Sequence, residues 1–256
     1  MQIFELRYPG TWIDGLQNGH QIQTMLYPLQ EDLADAAIGL ALFTEARARP
    51  PSGLGWMRRQ SAVRVISEQM ESALPQNLPF DQRFAALDSI RDNADLRAKR
   101  QEWAAGILPD GYERRLMAIH ARTVVFALDD IDRKLEVLAE MSGVPEVAAA
   151  HGRYLAALPN VRDVRNSAHH TEDRLRGLKT GGKPITLQPI SNRLIHAPGG
   201  AIVVSSFIDN RFGFTSADGH YREVEVTADS VTFAQRAIQE SINAFSWRGP
   251  ARSIPD

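Results

Sequence analysis

Val124-Val125-Phe126-Ala127-Leu128-Asp129-Asp130-Ile131-Asp132-Arg133-Lys134-Leu135-Glu136-Val137-Leu138 is the stretch from which the fold reads most directly. Within it Val124, Leu128, Ile131, Leu135 and Leu138 follow one another at spacings of four and three. That is the stripe a helix presents to neighbours packed along its length. The pattern predicts a helix from about Tyr112 to Met141. Ser142-Gly143-Val144-Pro145 stops it, and a further helix is expected from Glu146 to Ala157, ahead of Leu158-Pro159-Asn160.

Upstream, apolar residues Ile22, Met25, Leu26, Leu29, Leu33, Ala36, Leu40 and Phe43 recur at helical spacing between about Trp12 and Ala48. One helix or two fit, with Pro28 at a start or a kink, because proline suits a first helical turn and disrupts an interior one. Arg49-Pro50-Pro51-Ser52-Gly53 closes this region. Two more amphipathic stretches, roughly Met57 to Ala73 and Phe80 to Trp103, lie between prolines at 75, 79 and 109.

Downstream of Lys179 the character changes. Thr180-Gly181-Gly182 reads as a joint, followed by β-type runs at Ile185 to Leu187, Ala201 to Ile208, Arg211 to Thr215 and Tyr221 to Val226. Asp209-Asn210 and Asp218-Gly219 supply residues that tolerate positive φ and close hairpins. A last helix is expected from Asp229 as N-cap, with Val231, Ala234, Ile238, Ile242 and Phe245 on its apolar face. The expected class is therefore α+β and predominantly α: a helical bundle over 1–178, and a small antiparallel β meander with a closing helix over 179–248, packed on the bundle as one unit. A tail over 249–256 reads as frayed.

The 256 residues contain no cysteine, which removes disulfides, thiolate metal sites and cysteine nucleophiles and suits a reducing compartment. The start shows no secretory pattern, and the apolar run around Ala36 to Phe43 is too short to cross a bilayer. No membrane is implied, and a cytoplasmic location is expected. With 29 Lys and Arg against 31 Asp and Glu, the net charge of −2 gives no global footprint of a polyanion binder. Any such contact must be local. Between Arg162 and Lys183 six basic residues face three acids, with two histidines among them.

Chemistry concentrates in Arg162-Asp163-Val164-Arg165-Asn166-Ser167-Ala168-His169-His170-Thr171-Glu172-Asp173. Arginine can clamp phosphate oxygens through two nitrogens and stays charged, whereas histidine titrates near neutrality and can move a proton. Cleavage of RNA by its own 2′-hydroxyl needs those two services and no metal. On a helix Arg165 and His169 share a face, with Arg162 a further near-turn behind, and Asn166 pairs with His170. Arg165 and His170 diverge by roughly 140° on an ideal helix. They converge only at a fraying end, by long reach, or across a dimer.

The run Arg165-Asn166-Ser167-Ala168-His169-His170 resembles the R-x4-6-H signature of HEPN domains, including the polar residue that often follows the arginine. The resemblance implies a helical bundle, a homodimer with arginine and histidine in the cleft between protomers, and metal-independent cleavage of single-stranded RNA. By position, Arg165 would stabilise phosphate charge, Asn166 would orient it, and His170 would be the general acid or base. Read from Arg162 instead, six residues intervene before His169, with Asp163 as the polar follower. Both registers stay open. The alternative is a noncatalytic HEPN-like interaction or regulatory protein, in which these side chains cap the helix and form salt bridges.

Other chemistries are poorer fits. Gly177-Leu178-Lys179-Thr180-Gly181-Gly182-Lys183-Pro184 satisfies G-x-x-x-x-G-K, but proline stands where a Mg²⁺-binding Ser or Thr is required, and a helix precedes it where a strand should. His169 and Asp173, with His170 or Glu172, do not amount to a metal site by spacing, so no metal and no cofactor are expected. No G-x-S-x-G elbow and no G-x-G-x-x-G turn after a strand stand out.

Overall fold

The computed structural model describes residues 2–49, 55–179 and 181–255. In chain order its elements are β1 (Leu6–Tyr8), β2 (Trp12–Ile13), α1 (Gly19–Ala48), α2 (Gly55–Ser72), α3 (Phe80–Ala104), α4 (Asp110–Ser142), α5 (Pro145–Ala157), α6 (Val161–His169) and α7 (Thr171–Leu175). There follow β3 (Leu178–Lys179), β4 (Lys183–Pro184), β5 (Ile190–Ser191), β6 (His196–Ala197), β7 (Ser206–Ile208), β8 (Arg211–Thr215), β9 (Tyr221–Glu225), α8 (Ala228–Asn243), β10 (Trp247–Arg248) and β11 (Arg252–Ile254). The class is α+β and mainly α, with a strand meander and a C-terminal helix. No helix among the described residues is long and apolar enough to cross a membrane.

The chain divides into two compact units, one of residues 1–44 with 118–256 and one of residues 45–117, with the boundaries inside α1 and α4. The larger unit carries the predicted α4 stripe at its centre: Val124, Leu128, Ile131, Leu135 and Leu138 are all fully buried. From α1 the same core takes Ile22, Leu26, Leu29, Leu33 and Ala36. Gly39 lets α1 and α4 approach, since a Cβ there would stand 3.0 Å from Val124 Cγ2 and 3.2 Å from Thr123 Cγ2. Pro28 neither starts nor ends α1; the helix runs through it.

The three-stranded meander β7-β8-β9 is antiparallel, with Phe207 opposite Phe212 and Phe212 opposite Val224. Asp209 takes φ 56° in the first turn and Gly219 takes 89° in the second, as the turn residues require. Gly219 also lies so close to Thr186 that a Cβ would meet its carbonyl oxygen at 1.9 Å.

Several expectations give way to local detail. Ser205, at φ 56°, turns the chain between Val204 and the ladder, so the strand expected from Ala201 begins only at Ser206. Ile185 to Leu187 forms no strand. Instead Ile185 N–H donates to Gly177 O at 2.8 Å and Gln188 N–H to Gly219 O at 3.1 Å, and Pro184 and Pro189 bracket the run without N–H groups for a ladder. The N-cap of α8 is Thr227, whose backbone is extended and whose side-chain oxygen accepts the Ser230 N–H. Asp229 falls in the first turn, where its charge suits the helix dipole.

The tail is not frayed. Arg252–Ile254 pairs with Leu6–Tyr8, and Trp247–Arg248 with Trp12–Ile13, so both chain ends are stitched together beside α8. Gln235 and Gln239 on α8 hold the Glu5 and Arg7 carbonyls.

The smaller unit centres on the α2–α3 hairpin, whose buried cluster is only Ile66, Ala94 and Ala98, backed by Ala62, Val63 and Met70. Arg59 and Glu102 bridge the two helices at 2.8 Å.

Because Ile131 is fully buried at the centre of the larger core, Ile131→Ala is expected to lower unfolding free energy by about 2–5 kcal/mol in urea denaturation. A loss below about 1 kcal/mol would mean that the α4 stripe is not the core.

Candidate functional site

The segment that carries the Arg/His cluster folds as α6 because Val161, Val164 and Ala168 form one apolar face, which buries against β8 and β9. Polar bonds fix its N-terminal end: Asn160 donates to Glu223 O at 3.2 Å, and Arg222 pairs with Asp163 at 3.0 Å. The face turned toward α4 carries the arginines.

Two carboxylates on α4 receive them. Asp129 is wholly buried and Asp132 nearly so. Arg162 donates to Asp132 Oδ2 at 2.7 Å and to Glu136 Oε2 at 3.0 Å, and its Nε lies 3.9 Å from Asp129 Oδ1. Arg165 Nε sits 3.2 Å from Asp129 Oδ2, which Arg133 also reaches at 2.9 Å. His151, from α5, closes the group with a 2.7 Å hydrogen bond to Asp132 Oδ1. Tyr154, on the same helix, donates its hydroxyl to Leu128 O at 2.7 Å. Farther along α4, Lys134 pairs with Asp32 of α1.

These carboxyls titrate in opposite directions. Burial pushes Asp129 above the ordinary carboxylate range, although Arg133, Arg165 and Arg162 draw it back. At Asp132 burial also raises the pKa, but the His151 hydrogen bond and the Arg162 charge outweigh it and leave the group below its ordinary value. Asp129 Oδ1 and Arg165 Nε are buried without a well-formed hydrogen bond, so their attraction is chiefly that of charges in contact.

The outer side of α6 is aromatic and cationic. Phe126 lies under the guanidinium of Arg165, 5.2 Å from the ring centre, and that of Arg122, 5.7 Å away, with the His169 ring at 6.3 Å. Arg165 Nη1 donates to Asn166 Oδ1 at 3.2 Å. The His169 and His170 rings meet edge to face at 4.9 Å. His170 is the C-cap of α6, with φ −104° and ψ 47°; its N–H closes the last helical turn on Asn166 O at 3.0 Å, and the chain leaves the helix after it. Arg122 holds this end by donating to the Ala168 carbonyl.

Beyond the cap, Arg174 is buried with no carboxylate in contact among the described residues. It donates to Leu178 O at 2.6 Å and to Ser167 Oγ at 3.4 Å, tying the turn after α7 to the underside of α6. Burial lowers its pKa, with Asp173 and Glu172 opposing. His170, Glu172 and Asp173 bring one ring nitrogen and two carboxylate oxygens within 4.8 Å of one another, a half-buried trio of which only Glu172 is exposed.

The structure thus brings Arg165 and His169 to the Phe126 ring, with Asn166 bonded to Arg165 and His170 touching His169, and turns Arg162 to Asp132 and Glu136. Sequence reasoning missed Asp129, Asp132, Phe126, Arg122 and His151. The signal for the two acids was present: they immediately follow Leu128 and Ile131 of the apolar stripe, at the border of a face that must be buried. Comparison of the chain with models of protein families, with curated proteins and with solved structures finds no match.

The depressed Asp132 carboxyl contributes stability that is present above its unfolded pKa and lost as pH falls through its folded one. Acid unfolding followed by circular dichroism should show a shallower loss below about pH 4 in Asp132→Asn than in the wild type. Asp129, shifted the other way, contributes stability that is lost as pH rises. Asp129→Asn should therefore leave the acid limb as steep or steeper, and equal flattening by both variants would contradict the assignment.

Proposed function

We propose that the chain is a HEPN-like protein that acts as a metal-independent endoribonuclease on single-stranded RNA, with its site at the C-terminal end of α6. The observation that carries this reading is that Arg165 and His169 both lie against Phe126, with Asn166 bonded to Arg165, His170 against His169, and Asp129 paired with the arginine. Arg165 is pre-oriented, which lowers the entropy lost on meeting a phosphate. Two imidazoles 4.9 Å apart can divide acid and base work between them.

In the proposed reaction His170 takes the proton of the ribose 2′-hydroxyl, and that oxygen bonds to the adjacent phosphorus. Arg165, with Arg122 beside it, stabilises the charge on the non-bridging oxygens. The bond to the 5′-oxygen breaks as His169 supplies its proton. The products are a 2′,3′-cyclic phosphate and a 5′-hydroxyl. A homodimer, as the resemblance implies, would place two such ends along one RNA.

A second reading has its own support. Arg162 is bonded to Asp132 and Glu136, and Arg165 is paired with Asp129, so much of the cationic charge is already answered inside the chain. That favours a noncatalytic HEPN-like scaffold.

Labelled single-stranded RNAs of varied sequence, incubated with the protein in EDTA, decide between them. The nuclease reading predicts cleavage to 2′,3′-cyclic phosphate ends, with Arg165→Ala and His170→Ala folded but slower by about a hundredfold or more. Intact RNA with folded wild-type protein supports the scaffold instead.

A further inference from the structure

One face of α3 changes partner halfway along its length. In its C-terminal half Ala94 and Ala98 are buried against Ile66 and its neighbours on α2. Toward the N-terminus the same face continues as Phe80, Phe84 and Leu87, and these are bare: Phe80 is 86% exposed, Phe84 63% and Leu87 37%. α2 ends at Ser72, and the turn over residues 73–79 offers no helix to cover them. Two exposed phenylalanines one helical turn apart, with a leucine on the next turn, are an unusual stripe to leave in water.

We propose that this half of α3 is a self-association surface on which a second copy of the chain lays its own α3, parallel to the first. Phe80, Phe84 and Leu87 follow at intervals of four and three, the spacing of a short heptad seam that ends where Ala94 and Ala98 turn to α2. The flanks then choose the occupant and its direction. Arg83 lies on one flank of the seam, and Asp81 and Asp88 lie on the other; all three are exposed. Arg83 and Asp88 have no ion-pair partner among the described residues.

In a parallel pair the two unlike flanks meet, and Arg83 of each copy faces the partner's Asp88, five residues on. In an antiparallel pair like flanks meet, arginine against arginine. A second copy in parallel alignment therefore satisfies both the apolar stripe and the charges beside it.

Two phenylalanines and a leucine per copy bury on the order of 800 Å² in total, somewhat under the extent of a stable interface. The association is accordingly weak and concentration-dependent. It does not rest on the Arg/His site: a dimer indifferent to Phe84→Asp would leave the nuclease reading standing, whereas a monomer at every concentration would also remove the homodimer from it.

Sedimentation velocity of the full chain, from low to high micromolar concentration, tests the proposal. The expected result is a monomer–dimer equilibrium that Phe84→Asp weakens at least about tenfold. Arg83→Asp and Asp88→Arg should each weaken it, and the two together should restore it, with helical content checked by circular dichroism throughout. A monomer at every concentration overturns the proposal, as does a dimer unaffected by Phe84→Asp. Strengthening by Arg83→Ala alone, which relieves a clash only where arginine meets arginine, overturns the parallel arrangement.

Discussion

Two carboxylates inside a helical core constrain everything around them. Asp129 and Asp132 lie beside the apolar stripe of α4, out of water, where an unpaired charge would cost several kcal/mol. They must be met, and the four groups that meet them come from three helices: Arg133 on α4 itself, His151 on α5, and Arg162 and Arg165 on α6. The position of α6 against α4 is thus set by ion pairing on one face, while its Val161, Val164 and Ala168 face is set by burial against the meander. Neither constraint alone would fix the rotation of this nine-residue helix.

That rotation decides what the Arg/His segment presents. With Arg162 drawn toward Asp132 and Glu136, Arg165 is left at the boundary between core and surface, one edge against Asp129 and its plane over Phe126. Helix α6 then ends at His169, and the non-helical His170 brings its ring against its neighbour's. Arg174 fixes the return of the chain beneath. The result is a cationic and imidazole-bearing edge supported from below, an arrangement suited to a phosphodiester and equally able to serve as a structural joint.

Much of the architecture was legible because it rests on long periodic patterns. The α4 stripe is unambiguous over five apolar positions, and the helix breaks at Pro145 and the hairpin turns at Asp209 and Gly219 announce themselves chemically. The terminal pairings of β1 with β11 and β2 with β10 were not legible, because strands of two or three residues show no alternation and their partners lie at opposite ends of the chain. The cluster from Arg162 to His170 was visible as residue types, but its geometry was not. On an ideal helix Arg165 and His170 diverge, and nothing local says that the helix stops at His169. The acids that orient the arginines sit about thirty residues away in sequence, as the Arg162–Asp132 separation of 30 shows, and were readable only as part of a patterned helix.

Buried Asp129 pairs with Arg165 and holds α6 against α4. A double-mutant cycle on unfolding free energy, with Asp129→Asn, Arg165→Met and the pair together, measures that interaction directly. A coupling of about 1–3 kcal/mol is expected, with the double variant more stable than the two single losses would sum to. Additivity within about 0.5 kcal/mol would show that the two groups act independently, and would contradict the claim that this ion pair orients α6.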